Sequence, residues 1–259
     1  MLKLYIHPLS PYVQKVQIAL YEKGIEFETS MPNLSSAPDA EFLRASPRVE
    51  VPTLIDGDTV IFDSTIILEY IEEKWQKPPL LPKTPAARAR ARMLEEVCDT
   101  YFEAITWGLA EVKFLGRARG ELAERMVARA GQQLKGLHAY FERELGDRPF
   151  FGGEAFGWGD LSVFPHVRSA VRFGFPPPLG SKLEGWLARV MDRPSVQKVR
   201  AQVAEASTGL PDLVKMVESG AIVRQYRDHR LEWMIRSGGT DIVLSGIEKK
   251  TIRFSVELD

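Results

Sequence analysis

The chain has 259 residues, enough for one large domain or two small ones, and its 44% apolar content supports a real core. Its 34 basic and 35 acidic side chains nearly cancel and form no basic stripe, which argues against nucleic acid and anionic membrane surfaces as main partners. A single cysteine, Cys98, excludes an internal disulfide framework and a Cys-based metal site, and four scattered histidines (His7, His138, His166, His229) argue against a His-ligated metal.

Leu2 to Ile6 reads as a short strand, and Pro11 to Lys23 as a helix that Gly24 stops. Ile25, Phe27, Thr29 and Met31 alternate with polar residues and predict a second strand. Thr53–Ile55 and Thr59–Phe62, separated by Asp56-Gly57, predict a hairpin. Ser64 to Trp75 returns to helical spacing. A crossover helix between the first two strands makes them parallel, so the order predicts a mixed four-stranded sheet with helices on it.

Residues 76–85 hold four prolines in ten positions and read as a linker. Beyond it, Ala86–Leu115, Glu121–Leu145, Trp158–Gly174, Ser181–Met191 and Ser195–Glu205 predict an all-α bundle. The end of the chain predicts a helix over Gln225–Arg236 and two strands, Asp241–Ser245 and Thr251–Leu258, which must pack on something. The expected division is 1–76, a linker at 77–85, a helical domain at 86–205 and an extension at 206–259. No run of about 18 apolar residues is present, and the start carries no secretory pattern, so a cytoplasmic protein without membrane spans is expected.

Four places carry candidate chemistry. Ser10-Pro11 follows a strand and opens a helix. It reads first as an N-cap, yet a hydroxyl beside unpaired backbone N–H groups also favours an anion. A thiolate held there has its pKa lowered from about 8.5. Val51-Pro52 reads as a strand start; a cis bond would present the Val51 backbone to an extended peptide, although spacing alone does not support one. Asp63-Ser64 reads as a cap, or as a grip on an α-amino acid headgroup, ammonium at Asp63 and carboxylate at Ser64. Gly157-Trp158-Gly159-Asp160 reads as a structural helix start. Cys98 reads as a small buried hydrophobe, and His166 and Arg168 as surface groups. Tyr101, Phe102, Trp107 and Phe114 share one predicted helix, where such aromatics more often form core.

The order and spacing of LYIHPLSPYVQKVQIALYEKGIEFE, VPTLIDGDTVIFDSTIILEYIEEKW, the proline linker and FGWGDLSVF resemble a cytosolic glutathione transferase of the serine type, over residues 1 to about 205. The resemblance implies an α/β thioredoxin-like domain that binds glutathione and an all-α bundle that supplies the electrophile pocket, usually in a homodimer. It implies that Ser10 activates the thiol, Val51-Pro52 pairs with the cysteinyl backbone, Asp63 and Ser64 hold the γ-glutamyl headgroup, and Asp160 is a buried folding-motif aspartate. Tyr12, Tyr101, Phe102 and Trp107 are the expected electrophile-pocket residues. Glutathione is the expected co-substrate, with no metal.

Two departures stand out. Glu50 occupies a glutathione-contacting position where the family often has Gln or Lys, and a carboxylate there does not favour the glycyl carboxylate; Arg48 is the candidate substitute. Gly157 stands where Ser or Thr is usual. The expected reaction is attack of the glutathione thiolate on a small hydrophobic electrophile. A glutathione-dependent dehalogenase or etherase, and a non-catalytic binding protein of the same fold, stay open, with the extension as plug, lid or partner surface.

Overall fold

The computed structural model describes residues 2–33, 39–208 and 212–254. Strands β1 (Leu2–Tyr5), β2 (Glu28–Ser30), β3 (Thr53–Asp56) and β4 (Thr59–Phe62) form one sheet in the order β2-β1-β3-β4. β1 runs parallel to β2 and antiparallel to β3, and β3 and β4 form the expected hairpin. Helix α1 (Pro11–Glu22) is the crossover, and its apolar stripe of Val13, Val16, Ile18, Ala19 and Leu20 is buried. Helix α3 (Ser64–Lys74) packs beside α1 through Ile67, Leu68 and Ile71. A short helix, α2 (Ala40–Ala45), which the sequence reading missed, places Phe42 and Ala45 on Tyr5.

The rest is helical: α4 (Pro85–Val97), α5 (Glu103–Lys113), α6 (Gly120–Leu145), α7 (Trp158–Arg172), α8 (Lys182–Met191), α9 (Pro194–Ser207), α10 (Leu213–Glu218), α11 (Asp228–Arg236) and α12 (Thr240–Glu248). The expected single helix over Ala86–Leu115 is interrupted by a wide π-type turn at Cys98–Phe102. The two halves share a buried charge cluster. Lys15 of α1 is fully buried and bonds Glu95 of α4 and Asp99, both at 2.5 Å. Glu95 also accepts from Trp158 at 2.6 Å and Thr65 at 2.9 Å, so each buried charge has partners. Lys23 donates to the carbonyls of Trp75 and Pro78, and Glu72 accepts from Leu80 and Leu81, which ties the proline-rich segment down.

Asp160 accepts from Phe151, Gly157 and Trp186. Burial pushes its carboxyl up to about 6, against those three donors. Gly157 has a steric reason: a Cβ there would lie 2.6 Å from the Leu80 carbonyl oxygen, which accepts from Trp158 at 2.8 Å. A Ser or Thr cap would collide with that carbonyl.

Three expectations are corrected. Asp241–Ser245 is not a strand but part of α12, because Ile242, Val243 and Gly246 face one side and Gly246 lets Ile252 approach. A short apolar run does not separate strand from helix by periodicity. The described residues at the end of the chain form no hairpin: β5 (Arg224–Gln225) pairs in parallel with β6 (Ile252–Arg253), and residues 255–258 of the expected final strand lie outside the described residues. His166 is not a surface group but fully buried beside Phe102 and Tyr12.

His138 is another buried histidine, and burial pulls its imidazole down to about 4. Its Nε2 has no hydrogen-bond partner among the described residues. Between pH 6.5 and 4 the unfolded chain therefore takes up a proton that the folded chain refuses, so stability falls as pH falls through that window. His138→Phe removes this loss. In urea unfolding, the stability of the variant relative to the native chain is expected to rise by about 1.4 kcal/mol per pH unit below 6.5. A difference that stays constant from pH 7 to 4.5 contradicts this account of His138.

Candidate functional site

A cavity of about 930 Å³ lies between the sheet half, the helical half and the end of the chain. From the sheet half it is lined by His7, Ser10, Tyr12, Glu50, Val51, Pro52, Asp63 and Ser64. Local chemistry explains each placement. Ser10 caps α1: its Oγ accepts from the Val13 N–H at 3.4 Å, and Pro11 takes the first helical position. The hydroxyl keeps its own hydrogen for a donor bond. His7 lines the same wall, and burial and Arg224 hold its imidazole below the usual range.

The Val51–Pro52 bond is cis. Among the described residues no hydrogen bond engages the Val51 N–H or carbonyl. The loop before it is pinned instead at Glu50, whose N–H donates to Ser46 Oγ and whose carbonyl accepts from Ser46 and Thr53 hydroxyls. Val49 sits at φ 55°, a costly conformation for a β-branched residue that persists only where its surroundings impose it. Asp63 sits at φ 74° and caps α3 with Oδ1, which accepts from Thr65 at 3.0 Å and Ile66 at 3.4 Å. Among the described residues no hydrogen bond engages its Oδ2, next to the α3 N-terminus and Ser64.

The opposite wall is α5 and the segment around Arg224–Arg230. Glu103, Trp107 and Glu111 recur at helical spacing on α5 and are all buried. Arg230 donates to Glu103 at 2.6 Å, and His229 Nε2 lies 3.0 Å from it. Burial works upward on the Glu103 carboxyl, but Arg230 and His229 outweigh it and bring it down to about 2. Arg224 donates to Glu111 at 2.6 Å, Tyr226 donates to it at 3.0 Å, and Arg117 lies 2.9 Å away. Trp107 meets Tyr226 edge-on at 4.6 Å, with the Arg224 and Arg230 guanidiniums 5.2 and 5.4 Å from its ring. Trp233 fills the space over Gly108, where a Cβ would come within 2.0 Å of the indole, and donates to Gln133 at 2.8 Å. The extension is thus built into the wall of the cavity.

The cavity brings together Ser10, Glu50, Val51, Pro52, Asp63, Ser64, Tyr12 and Trp107. It does not include Tyr101 or Phe102. Tyr101 is 68% exposed on the outer surface, and Phe102 is fully buried among His138, Phe141 and His166. The cavity takes the stripe Glu96, Thr100, Glu103, Trp107 and Ala110, at helical spacing, and Tyr101 and Phe102 lie off that stripe. Cys98 is buried, and burial pushes its thiol well above the ordinary range, so it stays protonated. Among the described residues no group of His, Cys, Asp and Glu could hold a metal. The sequence reading missed His7 and the basic side chains of the extension, Arg224, Arg227, Arg230 and Arg253. Three arginines and His229 within seven residues were the available signal.

A family model described as "Glutathione S-transferase, N-terminal domain" matches residues 4–79, and one described as "Glutathione S-transferase, C-terminal domain" matches residues 122–189. Neither reaches the extension. Glutathione S-transferase U28 of Arabidopsis thaliana is 35% identical over 158 residues, 60% of this chain and 66% of that protein, a little under two thirds of its length. The stringent starvation protein A homolog of Pasteurella multocida is 30% identical over 188 residues, 71% of this chain and 82% of that one. The crystal structure of a glutathione S-transferase from Rhodospirillum rubrum F11 superposes with a TM-score of 0.68 at 29% identity, covering 77% of this chain and 91% of that one.

Proposed function

Since the chain belongs to the glutathione S-transferase superfamily, we propose that its cleft binds glutathione and activates it for attack on a small apolar electrophile. One observation carries the reading: the Ser10 hydroxyl, the free Val51 backbone and the Asp63–Ser64 helix start all face one cavity. In this reading Asp63 Oδ2 takes the γ-glutamyl ammonium, and Ser64 with the α3 N-terminus takes its carboxylate. The Val51 N–H and carbonyl pair with the cysteinyl backbone. Ser10 then donates to the thiolate sulfur beside the positive end of α1 and lowers the thiol pKa.

The thiolate attacks an electrophilic carbon; a carbon–sulfur bond forms, and either a leaving group departs with the bonding pair or an activated double bond takes it. Trp107, Tyr12, Phe114 and Phe173 offer apolar surface for the second substrate. The enzyme orients the two reactants, and no second protein nucleophile is needed. Ile66, Met93 and Tyr101, each more than half exposed, favour a homodimer in which a second copy covers the α3–α4 face. Conjugation of reactive small molecules in the cytoplasm is the role that fits this chemistry.

Calorimetric titration with glutathione tests the reading. The native chain is expected to bind saturably, and Asp63→Ala to weaken binding at least roughly tenfold, the effect of losing one charge-assisted contact. No heat of binding with the native chain would sink the glutathione assignment.

A further inference from the structure

Glu50 sits beside the proposed ligand strand, where a bare carboxylate would repel the anionic carboxyl end of a peptide. The structure does not leave it bare. Arg48 lies 3.1 Å from its Oε2, Arg227 3.9 Å from the same atom, and Gln225 donates to Oε1 at 2.9 Å. Arg253 of β6 reaches the same loop and donates through Nη2 to the Val49 carbonyl at 3.1 Å. Its other terminal nitrogen, Nη1, is buried with no hydrogen-bond partner among the described residues. Three guanidiniums, Arg48, Arg227 and Arg253, therefore face one carboxylate, a surplus of two positive charges. Asp228, the other carboxylate near Arg227, is exposed and lies 3.0 Å from His229 Nδ1. Burial holds the Arg253 guanidinium below its usual range, with Glu50 working upward and Arg230 downward.

Glu50, Arg227 and Arg253 line the same cavity as Ser10 and Val51. A buried, unpaired guanidinium N–H is costly unless something accepts from it. A peptide with its γ-glutamyl end at Asp63–Ser64 and its middle on Val51 runs its carboxyl end toward Val49, Glu50 and the β5–β6 pair. We propose that Arg253, supported by Arg227, binds the terminal carboxylate of the thiol peptide, so that the extension beyond both family models completes the glutathione site. This rests on the glutathione reading above. Glu50 then serves to hold Gln225 and Arg227, and through them β5, in place over the cleft.

The test uses the full chain, titrated with glutathione and with its glycine-amide analogue, which differs only in lacking the terminal charge. The native chain is expected to prefer glutathione by roughly tenfold, the size of one charge-assisted hydrogen bond. Arg253→Gln should remove that preference by weakening glutathione while leaving the amide unchanged. Arg253→Lys, which keeps the charge, should retain part of it. Equal affinity of the native chain for the two peptides overturns the proposal while leaving the glutathione reading intact. So does an Arg253→Gln variant that weakens both alike, since that marks Arg253 as a support for the Val49 loop alone. Binding of neither peptide by the native chain defeats the glutathione reading, and this site with it.

Discussion

Arg230→Met is expected to lower the unfolding free energy by about 3–5 kcal/mol at pH 7, as read by urea denaturation. Both partners of this pair are shielded from water: the Arg230 side chain is 13% exposed and that of Glu103 5%. The guanidinium makes several bonds to the carboxylate, at 2.6 to 3.1 Å, and a further one to the Gln225 carbonyl at 3.2 Å. Methionine keeps the aliphatic bulk and deletes the charge, so Glu103 is left buried with the His229 ring as its remaining side-chain partner. That is the costly case for a buried ion pair; removing both charges is not. The double variant Glu103→Leu/Arg230→Met is therefore expected to recover most of the loss. A double variant as unstable as the sum of the two single ones would show that the residues do not act as a pair. The same charges set a pH limit on the wall. The Glu103 carboxyl, near 4.5 when unfolded and about 2 when folded, stabilises fully above pH 4.5 and loses that contribution as pH falls from 4.5 toward 2.

Much of this architecture was legible in the residues, for identifiable reasons. Asp56-Gly57 between apolar runs fixed the β3–β4 hairpin, and Ser10-Pro11 with Gly24 marked the ends of α1, because turn and cap chemistry is local. The sheet-side residues that line the cavity were readable because each is also a local signal: a cap at Ser10, a proline just before β3 at Pro52, a cap at Asp63. What escaped depends on distant parts of the chain. Tyr101 and Phe102 were misplaced because which face of that helix meets the cavity is set by the packing of distant elements, and the cavity takes the Glu103 and Trp107 face. α12 was read as a strand because its burial is set by Ile252 packing on Gly246. Glu50 read as an obstacle to glutathione because its partners Gln225 and Arg227 lie about 175 residues further along.

Ser10→Ala is the second large effect. In the proposed reaction the hydroxyl donates to the thiolate sulfur, and a hydrogen bond to a charged group contributes about 1.5–3 kcal/mol. Its loss raises the thiol pKa, which lowers the fraction of thiolate near neutral pH. With a model aryl halide the turnover of Ser10→Ala is expected to fall by roughly 10–100-fold at pH 6.5, with the deficit shrinking as pH rises above the free-thiol value of about 8.5. Glutathione binding should change little, because Asp63, Ser64 and Val51 hold the peptide independently of the sulfur. A parallel loss of binding, or a deficit that does not vary with pH, would place Ser10 in the fold of α1 and not in the chemistry.

The central claim is that this cleft holds glutathione as a thiolate at neutral pH. The direct measurement is a pH titration of thiolate ultraviolet absorbance for glutathione bound to the native chain. The account predicts a midpoint at least about one unit below the free-thiol value of about 8.5, shifted back toward it in Ser10→Ala. A bound thiol that titrates at the free value, or no bound thiol at all, contradicts it.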